Sequence, residues 1–229
     1  MALFIFDRLN IHISTPDQTR TLLHHAKGSI NAGQKIMLMG ASGSGKSLFL
    51  SALAGQLPHD GDAVLYLPNQ TLSCSSDPLL WREKVALITQ TPVMIAETVM
   101  DNLKLPLTFK QHQDKVFDQN WHIAQLGRFG KTAEFLNQNI HTLSGGERQI
   151  VHFLRTLQLS PALLLLDEPT AALDENTAAK LIDCVNDWVS DQPDRAVIWV
   201  SHQPHQAIAL SAISWWIKDG VLITEGSKL

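Results

Sequence analysis

Apolar positions along this chain follow two rhythms. Leu3 to Ile13 and Ile36 to Met39 are rich in apolar and β-branched residues and predict strands, the second running straight into a glycine-rich loop. From Ser47 onward, Leu48, Leu50, Leu53, Ala54 and Leu57 take helical spacing, which Pro58 ends. Val64 to Leu67 and Val85 to Thr89 predict further strands, separated by a polar loop that includes Asp77 and Pro78. Between Gln90 and Thr142 the texture changes, and Glu97 to Leu105, Gln113 to Leu126 and Thr132 to Leu136 suit short amphipathic helices broken at Pro106 and Gly127. Strand-like runs return at Leu163 to Leu166 and Val197 to Val200, with a helix predicted over Thr177 to Val189 between them. Ser214 to Thr224 carries Asp219-Gly220 between apolar stretches and predicts a terminal hairpin.

Strands alternating with helices imply an α/β fold with a largely parallel, covered sheet. A length of 229 residues allows one sizeable domain over 1–229. Its expected division is a core of 1–89 and 143–229 with a helical subdomain over 90–142.

Composition narrows the classes. Apolar residues at 45% and charged residues at 17% describe a globular chain. A formal charge of −4 and a pI near 6.2 give no global attraction to nucleic acid or to an anionic membrane. The two cysteines, Cys74 and Cys184, lack the paired spacing of thiolate zinc sites, which fits a reducing cytosol. Asp7 and Arg8 interrupt the apolar start, so Met1 to Phe6 reads as a first strand rather than a leader. No apolar run approaches the ~18 to 20 residues of a membrane span, so any pore must come from another chain.

The glycine-rich loop carries the first chemistry. Gly40-Ala41-Ser42-Gly43-Ser44-Gly45-Lys46-Ser47 fits G-x-x-x-x-G-K-[ST] between a strand and a helix. Glycines let successive N–H groups face a phosphate chain, and the helix that follows turns its positive end to the same anion. Lys46 would reach the β and γ phosphates, and the Ser47 hydroxyl would ligate Mg²⁺. A second signal is the apolar run Leu163 to Leu166 ending in Asp167 and Glu168, as expected where an interior parallel strand meets a ligand crevice. Asp167 would help hold Mg²⁺, and Glu168 would polarise an attacking water.

The third signal is Leu143-Ser144-Gly145-Gly146-Glu147-Arg148-Gln149, a serine-capped helix entry with little side-chain bulk. In this segment the chain resembles the ATP-binding-cassette (ABC) ATPases, and the family order of motifs spans essentially the whole sequence. The resemblance implies a P-loop ATPase core with N-terminal antiparallel strands and an inserted helical subdomain, with ATP and Mg²⁺ as ligands. It also implies a head-to-tail homodimer, in which Ser144 to Glu147 of one copy close over the ATP on the other's phosphate loop. By the same resemblance Gln90 links Mg²⁺ and the attacking water to the helical subdomain. Asp174 crosses between the paired subunits, and His202 contacts the γ-phosphate.

Within the family, the chain is similar to the ATP-binding subunits of bacterial iron-efflux transporters. That likeness implies a separate multi-span membrane permease, a place on the inner face of the plasma membrane, and metal export. The other reading is a soluble ABC-type ATPase in a non-transport assembly such as cofactor assembly. Where many relatives place an adenine-stacking aromatic, this chain has Ile11-His12-Ile13. Leu48 stands for the usual threonine and Ile150 for a common arginine. The ten histidines lack partners at convincing spacing for a metal site. Trp215 and Trp216 read as core and edge packing, and Val93-Met94-Ile95 reads as either core or a docking patch for a permease helix.

Overall fold

The structure is a computed structural model that describes residues 2–14 and 19–224, so Met1 of the expected first strand lies outside the described residues. Packing divides the chain into two compact units, one of Met1–Leu87, Pro161–Glu168 and Val185–Leu229 and the other of Ile88–Ser160 with Pro169–Cys184.

The first unit holds an antiparallel sheet of β1 (Ala2–Ser14), β2 (Thr19–Asn31), β4 (Asp60–Leu67) and β5 (Gln70–Ser73), in the order β2-β1-β4-β5. In β1 the period-two pattern breaks at Asp7-Arg8. There Arg8 takes a left-handed φ of 50° and the register with β2 shifts between Phe6 and Leu9. This bulge lets Phe6 and Leu9, three residues apart, both face the interior.

A mixed sheet comprises β3 (Lys35–Gly40), β6 (Val85–Ile88), β7 (Leu163–Asp167), β8 (Ala196–Val200), β9 (Ile213–Lys218) and β10 (Val221–Ile223). Its order is β10-β9-β3-β8-β7-β6, with β9, β3, β8 and β7 mutually parallel. Every residue of β7 and β8 is buried, which is why both read as unbroken apolar runs. The terminal hairpin turns through Asp219 and Gly220, both at positive φ.

Helix α1 (Lys46–Leu53) leaves the glycine loop and packs against β1, β3 and β7 through buried Phe49, Leu50 and Leu53. Around it Phe4, Phe6, Phe49, Trp81 and Trp215 form an aromatic cluster with ring centroids 5.5–5.9 Å apart. Trp81 comes from α2 (Pro78–Lys84) and donates its indole N–H to the Leu53 carbonyl at 2.9 Å. The expected polar loop therefore holds β5 and α2. Trp81 is the helix's one buried residue, so no periodic stripe announces α2.

The second unit contains α3 (Val99–Lys104), α4 (Gln119–Arg128), α5 (Gly145–Leu157) and the start of α6 (Glu175–Asp191). The expected helix over Gln113 to Leu126 begins only at Gln119, because the Asp118 carboxylate accepts from the Trp121 N–H and caps it there. Likewise Thr98 caps α3, and the Thr132 to Leu136 segment is a 3-10 helix over Ala133–Asn137. Fully buried Asn102 accepts from the Ile95 and Ala96 N–H groups and donates to the Ala96 and Thr98 carbonyls, holding the chain before α3. Val93 and Ile95 are 59% and 69% exposed, so this apolar patch is surface and not core. A last short helix, α7 (Pro204–Ala209), belongs to the first unit and was absent from the sequence expectation.

Candidate functional site

The phosphate loop sits where β3 ends and α1 begins. Gly45 caps α1 with φ 98° and no side-chain hydrogen bond, which leaves the first-turn N–H groups to face a ligand. A Cβ on Gly45 would lie 2.5 Å from the Leu22 side chain, and one on Gly40 would lie 2.6 Å from the Ile217 carbonyl oxygen. Gly40 therefore demands glycine on steric as well as conformational grounds, and Gly45 on conformational grounds, since the Leu22 methyl can shift. Buried Lys46 folds back over the loop and donates from Nζ to the Gly40 and Ala41 carbonyls, each at 2.9 Å. The Ser44 hydroxyl oxygen is buried without a hydrogen-bond partner among the described residues.

Asp167 ends β7 in register with Val200, and Glu168 follows at a left-handed φ of 46° with its N–H on the Val200 carbonyl. Burial raises the Asp167 carboxyl above its usual range. The Ser47 hydroxyl bond opposes this, neighbouring Glu168 adds to it, and Lys46 counters it. Burial lowers the Lys46 ammonium, against the pull of Glu168 and Asp167. Asp167 Oδ1 is buried with no partner among the described residues. A buried, unpartnered carboxylate oxygen beside a serine hydroxyl is a hard-oxygen donor set, and it fits a Mg²⁺ ion. His202 Nε2 lies 3.0 Å from Glu168 Oε1. The first unit thus brings together Gly40 to Ser47, Asp167, Glu168 and His202.

A cleft of about 720 Å³ adjoins the loop, lined by Gly40 to Ser44, by Arg20, Thr21, Leu22 and His24 of β2, and by Trp216 to Gly220. The β2 residues were not anticipated, since contacts distant in sequence, Leu22 with Gly45 and the His24 N–H with the Gly220 carbonyl, bring them to the loop and no local motif marks them. The neighbourhood expected for adenine is only partly available. Ile11 is fully buried, His12 bonds Thr21 Oγ1 and Asp60 Oδ2 at 3.0 Å each, and Ile13 is 37% exposed. Trp215 packs in the core as expected, but Trp216 is 48% exposed and lines the cleft.

The remaining expected residues lie in the second unit. Ser144 and Glu147 form a reciprocal capping box at the start of α5, and Lys131 pairs with Glu147. Those contacts hold the Glu147 carboxyl below its usual range, Lys131 contributing most. A Cβ on Gly146 would lie 2.9 Å from the Ala172 carbonyl oxygen, whereas one on Gly145 would meet only Ala172 Cβ at 3.6 Å. Asp174 precedes α6 and accepts from the Thr177 N–H and hydroxyl, which lower its carboxyl pKa. Gln90 is exposed just beyond β6.

A loop closing a parallel strand into a helix, with an acid-tipped parallel strand two places along the same sheet, defines a P-loop nucleoside triphosphatase. Residues 23–171 match the family described as ABC transporter. The chain is 33% identical over 181 residues to the probable iron export ATP-binding protein FetA of Escherichia coli (strain K12), covering 79% of this chain and 78% of that one. It is 35% identical over 211 residues to the aliphatic sulfonates import ATP-binding protein SsuB 2 of Rhizobium johnstonii, with 90% and 75% covered. The fold matches the dimeric post-hydrolysis structure of the ATP-binding cassette MJ0796 bound to ADP and Pi at TM-score 0.80, with 23% identity and 96% of each chain covered. The chain belongs to the ABC transporter family and is an ATP-hydrolysing ABC ATPase.

Proposed function

We propose that this chain is the motor subunit of an ABC transporter. Two copies bind two ATP molecules head to tail, close, and drive a separate membrane permease on the inner face of the plasma membrane. The observation that carries this reading is the convergence of Lys46, Ser47, Asp167, Glu168 and His202 on one loop, with Asp167 Oδ1 buried and unpartnered.

In the proposed cycle the amides of Gly43 to Ser47 and the Lys46 ammonium hold the β and γ phosphates. Ser47, Asp167 and Gln90 would hold Mg²⁺, which supplies charge neutralisation on the phosphate oxygens. Glu168 orients water for in-line attack, and His202 steadies both Glu168 and the γ-phosphate. Ser144, Gly145, Gly146 and Glu147 of the second copy cover that phosphate, and Asp174 borders the crossing. The exposed Val93 and Ile95 give a permease helix an apolar seat. Among the described residues no helix is long and apolar enough to cross a membrane, which suits a motor seated on a separate permease. The likeness to FetA favours metal export, and iron in particular, as the transport served.

The test is phosphate release by Glu168→Gln. Steady-state ATP turnover is expected to fall about a hundredfold or more while ATP still binds. Turnover at the wild-type rate would remove Glu168 from its role.

A further inference from the structure

We propose that Arg20 is the base platform of the nucleotide site, its guanidinium plane stacking on the purine in place of an aromatic ring. The inference rests on the reading of Gly40 to Ser47 as an ATP site and adds the group that holds the base. Leu22 touches the loop at Gly45, the point where α1 begins and phosphate would sit. Leu22 and Arg20 both line the cleft beside the loop, and Arg20 lies two residues further toward the start of β2, about 7 Å along the strand. With phosphates on the loop, the ribose then lies over Leu22 and the base over Arg20.

Ile13 stands directly opposite Arg20 in the β1–β2 register and is 37% exposed, which gives the base an apolar edge. The adjacent rung, His12 opposite Thr21, is pinned on the other face by the His12 bonds to Thr21 and Asp60. That pinning fixes the backbone from which Arg20 extends. The other flat side chains of the cleft lie elsewhere: Trp216 pairs with Met39 before the loop starts, and His24 lies beyond Leu22, where its N–H meets the Gly220 carbonyl. A planar cation binds the π face of either purine and does not read its edge, so ATP and GTP should bind comparably.

The test measures dissociation constants of the full chain for Mg²⁺ with ATP, GTP and inorganic tripolyphosphate. Arg20→Ala should weaken ATP and GTP alike by about fivefold to tenfold and leave tripolyphosphate within about twofold. Arg20→Trp should restore ATP affinity. Unchanged ATP affinity in Arg20→Ala, or an equal loss for tripolyphosphate, would overturn the proposal, the second outcome placing Arg20 on phosphate. Lys46→Ala separates the underlying reading, because it should weaken all three ligands. If it weakens none, the phosphate site itself is misassigned. Unfolding of each variant without nucleotide checks that the fold is intact.

Discussion

Asp167 carries a conflict between stability and function. Its carboxylate is buried, its pKa is raised chiefly by that burial, and Oδ1 has no partner among the described residues. A folded-state pKa above the unfolded value makes the ionised form a cost at neutral pH, relieved as pH falls through the folded pKa. Asp167→Asn should therefore raise the melting temperature of the nucleotide-free protein by about 2–4 °C, a gain on the order of 1 kcal/mol, while ATP turnover with Mg²⁺ collapses. Calorimetry beside a turnover assay checks both halves. His152 has the opposite sign. Burial first, and Arg155 second, lower its pKa to about 4, so the fold keeps it neutral while the unfolded chain protonates near 6.5. Its stabilising contribution is present above that value and is lost progressively as pH falls from about 6.5 toward 4. Between pH 7 and 5 the loss is about 2 kcal/mol, read by denaturant unfolding, and His152→Gln should flatten that slope.

At the scale of elements, the two glycines that open α5, Gly145 and Gly146, separate into different roles. Gly146 meets the Ala172 carbonyl so closely that a methyl group must displace something, whereas Gly145 has room for one. Gly146→Ala should cost about 1–2 kcal/mol in stability, and Gly145→Ala should unfold like the wild type yet lose ATP-dependent association. Equal destabilisation of both would show that the pair serves the fold alone. The same scale shows where the sequence was legible. The phosphate loop and the acid-tipped strand were readable because their chemistry is contiguous and β7 is buried along its whole length. By contrast α2 was missed because it buries one side chain, and α4 was drawn too early because the Asp118 cap outweighs the apolar pattern before it. The bulge at Asp7-Arg8 looked like a mere interruption, yet it turns both Phe6 and Leu9 inward.

For the whole molecule, the sequence order of the motifs conveyed the fold class, since alternating strands and helices leave few ways to pair a parallel sheet. It did not convey the wall of the nucleotide cleft. Arg20, Thr21, Leu22 and His24 reach it through contacts between residues distant in sequence, the Leu22 side chain against Gly45 and the His24 N–H on the Gly220 carbonyl, and Trp216 lines the cleft although its neighbour Trp215 is core. The phosphate loop and acids lie in one unit and Ser144 to Glu147 in the other, and in the proposed function a second copy of the chain completes the site. The ATP-dependent pairing of two copies is most directly tested by light-scattering mass measurement of Glu168→Gln with Mg²⁺ and ATP. The expected result is a particle of twice the 25.4 kDa chain mass that reverts to one chain when ATP is removed. A single-chain mass at saturating ATP, with nucleotide demonstrably bound, would contradict it.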